Sequence, residues 1–150
     1  MAAGSSGLRV FGEQSTNVNY RDRPAAYAVI TNSANQVAVV EACFRDHRQL
    51  WLPGGGIEAG ESPMETIESE IREELGREVS LQEELAQSIQ FFYADDDQCW
   101  YKMHAHFYAA DFAGPQLEAS EFELLWVAPI ACGSRFFHQS HAWAAQGCVE

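Results

Sequence analysis

The stretch Leu52-Pro53-Gly54-Gly55-Gly56-Ile57-Glu58-Ala59-Gly60-Glu61-Ser62-Pro63-Met64-Glu65-Thr66-Ile67-Glu68-Ser69-Glu70-Ile71-Arg72-Glu73-Glu74-Leu75-Gly76-Arg77 decides how this chain is read. Ser62 can cap a helix, Pro63 suits the first helical position, and Glu65 completes a Ser-x-x-Glu capping box. Met64, Ile67, Ile71 and Leu75 recur at helical spacing and predict a buried stripe, with Gly76 as the stop. A helix is therefore expected over residues 62–76. On it, Glu70, Glu73 and Glu74 stand at i, i+3 and i+4, which predicts three carboxylates on one face, turned away from Ile67 and Ile71. Like charges so placed cost about 0.2–0.5 kcal/mol per pair in an exposed helix, so a counter-charge is expected. The plain alternative is a solvated face of an acidic protein. The sharper one is a hard divalent cation, which takes oxygen ligands and sits between carboxylates and phosphates. Gly54-Gly55-Gly56, read as a loop just ahead of the helix, lets the backbone come close to an ion or a phosphate.

Outward from this stretch, residues 25–31 and 36–43 are apolar and rich in valine, and the turn cluster Asn32-Ser33-Ala34-Asn35 separates them. They read as two strands of a hairpin. Leu50-Trp51-Leu52 is a short strand stopped by Pro53. Residues 79–94 and 98–112 look extended around the polar turn Asp95-Asp96-Asp97, residues 124–127 form another short strand, and residues 136–146 suit a closing helix. Strands on both sides of a central helix, with a long antiparallel pair, predict an α+β fold: a mixed sheet with helices on its faces.

The 150 residues suffice for one domain with a proper core, and no repeat or linker divides them. Residues 1–8 are expected to be a flexible tail, with neither the basic start nor the apolar stretch of a secretory signal. The net charge of -13, with Lys102 the only lysine, argues against binding duplex DNA or RNA and against anionic membranes, which both demand a basic footprint. It leaves room for a small phosphate-bearing substrate if a metal supplies local positive charge. Cys43, Cys99, Cys132 and Cys148 match neither a zinc pattern nor a disulfide framework, so reduced thiols in a cytoplasmic protein are expected.

The run Gly55-x5-Glu61-x7-Ser69-Glu70-Ile71-Arg72-Glu73-Glu74-Leu75-Gly76-Arg77, preceded by Leu52-Pro53-Gly54, resembles the Nudix box, G-x5-E-x7-R-E-U-x-E-E-x-G-U with U aliphatic. Ser69 stands where the family has the arginine that helps orient the box glutamates, and Arg77 where it has an aliphatic residue. The resemblance implies an α/β/α sandwich and a pyrophosphohydrolase in which Glu70, Glu73, Glu74 and the Gly54 carbonyl hold Mg²⁺ or Mn²⁺. Glu70 is a candidate base, and Glu61 is expected to be structural in the loop. A further acidic ligand or base is expected from Glu118, Glu121 or Glu123, with Glu121 favoured. Arg77 would partly neutralise Glu73, and Arg72 would pair with Glu68.

Arg23, Gly55 and Tyr93 are the candidate substrate contacts, with Tyr20, Arg21, Phe91 and Phe92 as neighbours; each has a packing or surface role as its plain alternative. The proline that the family links with ADP-ribose hydrolysis is absent near Phe92, whereas Tyr93 falls near the tyrosine linked with dinucleoside polyphosphates. His104 and His106 share a strand face and are weaker candidates for metal or substrate binding, with His138 and His141 behind them. The expected partner is a nucleoside diphosphate linked to another group, with a homodimer as a further expectation. The competing readings are a nucleotide sensor without turnover, which Ser69 favours, and an acidic metal-binding domain with no nucleotide role.

Overall fold

The computed structural model describes residues 8–147, and Cys148 and nearly all of the expected tail lie outside them. The exception is Leu8, which opens a strand that the sequence reading missed. In chain order the elements are β1 (Leu8–Phe11), β2 (Tyr20–Ile30), β3 (Val37–Phe44), β4 (His47–Trp51), β5 (Gly54–Gly56), α1 (Pro63–Leu75), β6 (Val79–Ala94), β7 (Cys99–Phe112), β8 (Leu124–Val127), a 3₁₀ turn (Gly133–Arg135) and α2 (Gln139–Ala145).

Two sheets form. The larger is mixed, in the order β1-β6-β7-β2-β5, and the smaller runs β4-β3-β8. In the larger sheet β1 lies parallel to β6 and β2 parallel to β7, while β6 with β7 and β2 with β5 are antiparallel. Period-two alternation sends neighbouring residues of one strand to opposite cores. Ala25, Tyr27 and Val29 of β2 enter one core with Phe107, Leu52 and Trp143 of α2. Ala26, Ala28 and Ile30 enter the other, which Ile67, Ile71 and Leu75 of α1 seal. The two helices therefore cover opposite faces, which makes the α/β/α sandwich.

Three sequence expectations change here. The turn after β2 forms, with Asn32 Oδ1 accepting from the N–H groups of Ala34 and Gln36 at 2.9 and 3.0 Å. Its flanking strands are not a hairpin, however. After the bridge Thr31–Val37 they part into different sheets, because β2 is buried on both faces from Ala25 to Ile30 and needs strand neighbours on both edges. Gly54-Gly55-Gly56 is a strand rather than a loop and pairs with Tyr27, Ala26 and Ala25. On α1, Met64 is 42% exposed, and Thr66 takes the buried place beside Ile67.

No helix among the described residues is long and apolar enough to cross a membrane. Cys43, Cys99 and Cys132 are all free.

Candidate active site

The start of α1 is fixed before its carboxylates appear. Ser62 Oγ accepts from the Glu65 N–H at 3.1 Å, and Glu65 Oε1 accepts from the Ser62 N–H at 2.9 Å, which closes the capping box. Glu61 Oε1 accepts from the Glu58 N–H (3.0 Å) and the Thr66 hydroxyl (2.9 Å), tying the preceding turn to the helix. With its N-terminus held and Ile67 and Ile71 buried, the helix can present its carboxylates in one orientation only.

Glu70 and Glu74 turn toward β5, and Glu73 remains exposed. The Gly54 N–H donates to Glu74 Oε1 at 3.1 Å. Gly54 has φ +143°, and a Cβ there would stand 2.2 Å from the Ala26 carbonyl oxygen. At Gly55 a Cβ would stand 2.7 Å from Glu70 Oε1. Gly54 is thus required by the close approach of a neighbouring strand, whereas a side chain at Gly55 would displace the movable Glu70 carboxylate. The Leu52 N–H donates to Nδ1 of the buried His141 at 3.1 Å, so α2 steadies the other end of this segment. That role for His141 carries no sequence signal.

The electrostatics of the pair are unfavourable as they stand. Burial is the largest cause raising Glu74 to about 8; the charges of Glu70, Glu121 and Glu73 add to it and the Gly54 N–H opposes it. Glu70 is raised by burial first, then by Glu73, Glu61, Glu121 and Glu58. No basic side chain pairs with Glu70, Glu73 or Glu74 among the described residues. The two arginines expected nearby go elsewhere. Arg72 pairs with Glu78 at 2.6 Å and Glu118 at 3.4 Å rather than with Glu68. Arg77 lies 3.9 Å over the Phe112 ring and donates to the Gly114 carbonyl at 2.7 Å, leaving Glu73 alone. Ser69 is exposed on α1, one turn before Glu73.

The downstream acids separate clearly. Glu118 is taken by Arg72. Glu123 acts on the field at Arg48, away from the helix carboxylates. Glu121 is the one whose charge acts on both Glu70 and Glu74, and its N–H reaches the Glu73 carbonyl at 3.4 Å. No three His, Cys, Asp or Glu side chains converge as a ready-made metal cage among the described residues. What the site offers a cation is an under-neutralised, half-buried carboxylate pair beside a glycine backbone. That donor set suits a hard ion whose remaining ligands are waters, backbone and phosphate oxygens.

A cavity of about 450 Å³ opens from this pair. Arg23 is its one lining cation among the described residues; its guanidinium sits 5.5 Å from the Tyr101 ring centroid and against Gly56. Trp51, Phe92, Phe137 and His138 form the far wall. Tyr93 is not brought to the cavity. It is 40% exposed on the opposite side of β6, packed against Trp100, because alternation along the strand sends Phe92 inward in its place. Tyr20 packs edge-on against Phe91 and Trp100. His104 and His106 stack at 4.9 Å on another face and hydrogen-bond Gln87 and Glu84. Sequence reasoning missed Trp51, Tyr101 and Phe137, which lie far apart in the chain and meet only in the fold.

A family model for the NUDIX domain matches residues 21–140. Solved structures of the same fold include the MutT protein from Methanosarcina mazei Go1 (18% identity, 85% of this chain and 92% of that one, TM-score 0.64). A Nudix hydrolase from Nitrosomonas europaea matches at 15% identity over 85% and 91% of the two chains, TM-score 0.63. An ADP-ribose pyrophosphatase from Streptococcus suis 89-1591 matches at 17% identity over 72% and 75%, TM-score 0.53. No curated protein matches the chain in sequence. The fold, the box and the family match agree: the chain belongs to the Nudix family. Its class of activity is that of a Nudix pyrophosphohydrolase.

Proposed function

We propose that this protein hydrolyses the diphosphate linkage of a nucleoside diphosphate joined to another group, by attack of water on phosphorus. The observation that carries the reading is the half-buried pair Glu70–Glu74, set against Gly54 and Gly55 with no basic partner among the described residues. Glu70, Glu73, Glu74 and the Gly54 carbonyl are the residues that would hold Mg²⁺ or Mn²⁺, with Glu121 as the downstream acid. Such an ion neutralises phosphate charge and lowers the pKa of bound water.

The chain's own part is positioning. Gly55 keeps the space at Glu70 clear, and Glu61 fixes the turn ahead of the helix. Arg23 meets a phosphate oxygen pair from the opposite side with its planar donors. Glu70, raised by its surroundings toward neutrality, is suited to accept the proton of the attacking water. The aromatic wall takes the base. The Streptococcus suis relative is named for ADP-ribose, a compound of this substrate class.

A second reading, a nucleotide sensor without turnover, is favoured by Ser69, since no arginine on that face orients Glu73. A screen of nucleoside diphosphate compounds with Mg²⁺ or Mn²⁺, following monophosphate release, decides between them. Release by the wild type and not by Glu74→Gln supports hydrolysis; tight binding without release supports the sensor.

A further inference from the structure

His138 is a polar side chain that the reaction described above leaves unused. It is 5% exposed and lines the cavity, yet its imidazole makes no hydrogen bond among the described residues. Its neighbour His141 differs: the Leu52 N–H occupies its Nδ1, and its Nε2, buried without a partner, does not line the cavity. The ring nitrogens of His138 are not sealed off but open to the cavity, where a polar group of a ligand can take the place of water as their partner. The ring cannot swing away to find another. The rings of Phe92, Phe137 and His141 hold it, with centroids at 4.6, 4.8 and 4.9 Å.

Its place along the cavity says what that partner is. At one end lie Glu70, Glu74 and Arg23, where a diphosphate belongs. At the other, Phe137 stacks on Trp51 at 5.3 Å and 23°, a surface for a planar base. His138 links the two groups: its ring touches Phe137, and the charge of Arg23 acts on it. In a nucleotide the group between phosphate and base is the sugar, whose free polar groups are hydroxyls. A hydroxyl both donates and accepts, so it matches a neutral imidazole in either tautomer. Burial, helped by Arg23, lowers His138 to about 3 and keeps it neutral. Of the three aspartates lining the cavity, Asp97 accepts from the Tyr101 hydroxyl at 2.6 Å and Asp95 pairs with Arg45 at 2.5 Å, while Asp96 is exposed to solvent.

We propose that His138 hydrogen-bonds a sugar hydroxyl of the nucleotide and makes the site selective for ribonucleotides over deoxyribonucleotides. This rests on the hydrolase reading of the preceding section.

The test uses the base of the nucleoside diphosphate compound that the full chain cleaves fastest, in its ribo, 2′-deoxy and 3′-deoxy forms. KM and kcat are measured for each, along with calorimetric binding of the corresponding monophosphates. The wild type should prefer the ribo form over one deoxy form by about tenfold in KM, the worth of one buried hydrogen bond. His138→Phe, which keeps the ring packing and removes both nitrogens, should bring that ratio close to one with kcat little changed. His138→Asn should restore part of it. A merely structural role would lower the melting temperature in His138→Phe and leave the ratio as it was. No preference in the wild type, or the same preference in His138→Phe, overturns the inference. Failure of the whole screen to show cleavage would instead overturn the hydrolase reading.

Discussion

The two ends of the cavity are built on opposite principles. At the α1 end, Glu70 and Glu74 come from one turn of helix, are charged groups in an unfavourable setting, and rest on backbone that tolerates no side chain at Gly54. At the α2 end, Trp51, Phe92 and the adjacent Phe137 and His138 come from three separate places in the chain, are neutral, and are held by mutual ring packing. A reacting centre needs groups whose charge is uncompensated until the ligand arrives. A recognition surface needs shape and few polar groups, well placed. The contrast teaches that chemistry and specificity in this molecule are separable, and substitutions at the two ends should separate them.

The largest effect is expected at the α1 end. Glu74→Gln should lower the hydrolysis rate by on the order of a hundredfold or more, since it removes a ligand charge at nearly constant shape. The fold should survive, as initial rates and a thermal melt on the same sample would show.

Next come the two glycines. Gly54→Ala places a methyl 2.2 Å from the Ala26 carbonyl oxygen, in a backbone region that alanine avoids. It should cost about 3 kcal/mol or more in a denaturant titration. Gly55→Ala meets only the movable Glu70 side chain, so it should melt within a few degrees of the wild type and lose roughly tenfold in rate.

At the α2 end, Phe92→Ala should raise KM about tenfold with kcat nearly unchanged, from the loss of base stacking. Tyr93→Ala, on the outer side of the same strand, should change KM by less than about twofold, in line with a substitution outside the site. Equal effects from the two would break the proposed division of the cavity.

A smaller effect should appear in the pH dependence of stability. In the metal-free fold Glu74 keeps its proton up to about 8, whereas in the unfolded chain it loses it near the ordinary carboxylate value of 4.5. Between those values the folded state binds the extra proton, so stability should fall as pH rises from about 5 to 8. A bound cation favours the ionised carboxylate and removes that penalty. Mg²⁺ should therefore raise the melting temperature more at pH 8 than at pH 6. A shift independent of pH would detach Glu74 from the ion.

The same contrast explains what could be read from the sequence. The capping box, the helix from Pro63 to Leu75 and the spacing of Glu70 and Glu74 are local properties of one segment, and helical periodicity exposes them directly. The long pair β6 and β7 was equally plain around Asp95-Asp96-Asp97. Met64 fits the helical stripe, yet in the first turn of α1 it is exposed and Thr66 is buried instead. The pairing of Gly54–Gly56 with β2 was hidden, since three glycines carry no strand pattern. The family resemblance points to Tyr93, whereas which of two adjacent aromatics turns inward depends on strand register, set by partners distant in sequence. His138 and His141 rank last among the sequence candidates for the same reason: their surroundings exist only once α2 docks beside Leu52 and Phe92.

The most direct measurement is anomalous diffraction from crystals soaked in Mn²⁺. The account predicts an ion bound by the Glu70 and Glu74 carboxylates beside the Gly54 carbonyl, absent from crystals of Glu74→Gln. An ion bound elsewhere with those two carboxylates unligated, or no ion at all in the wild type, would contradict it.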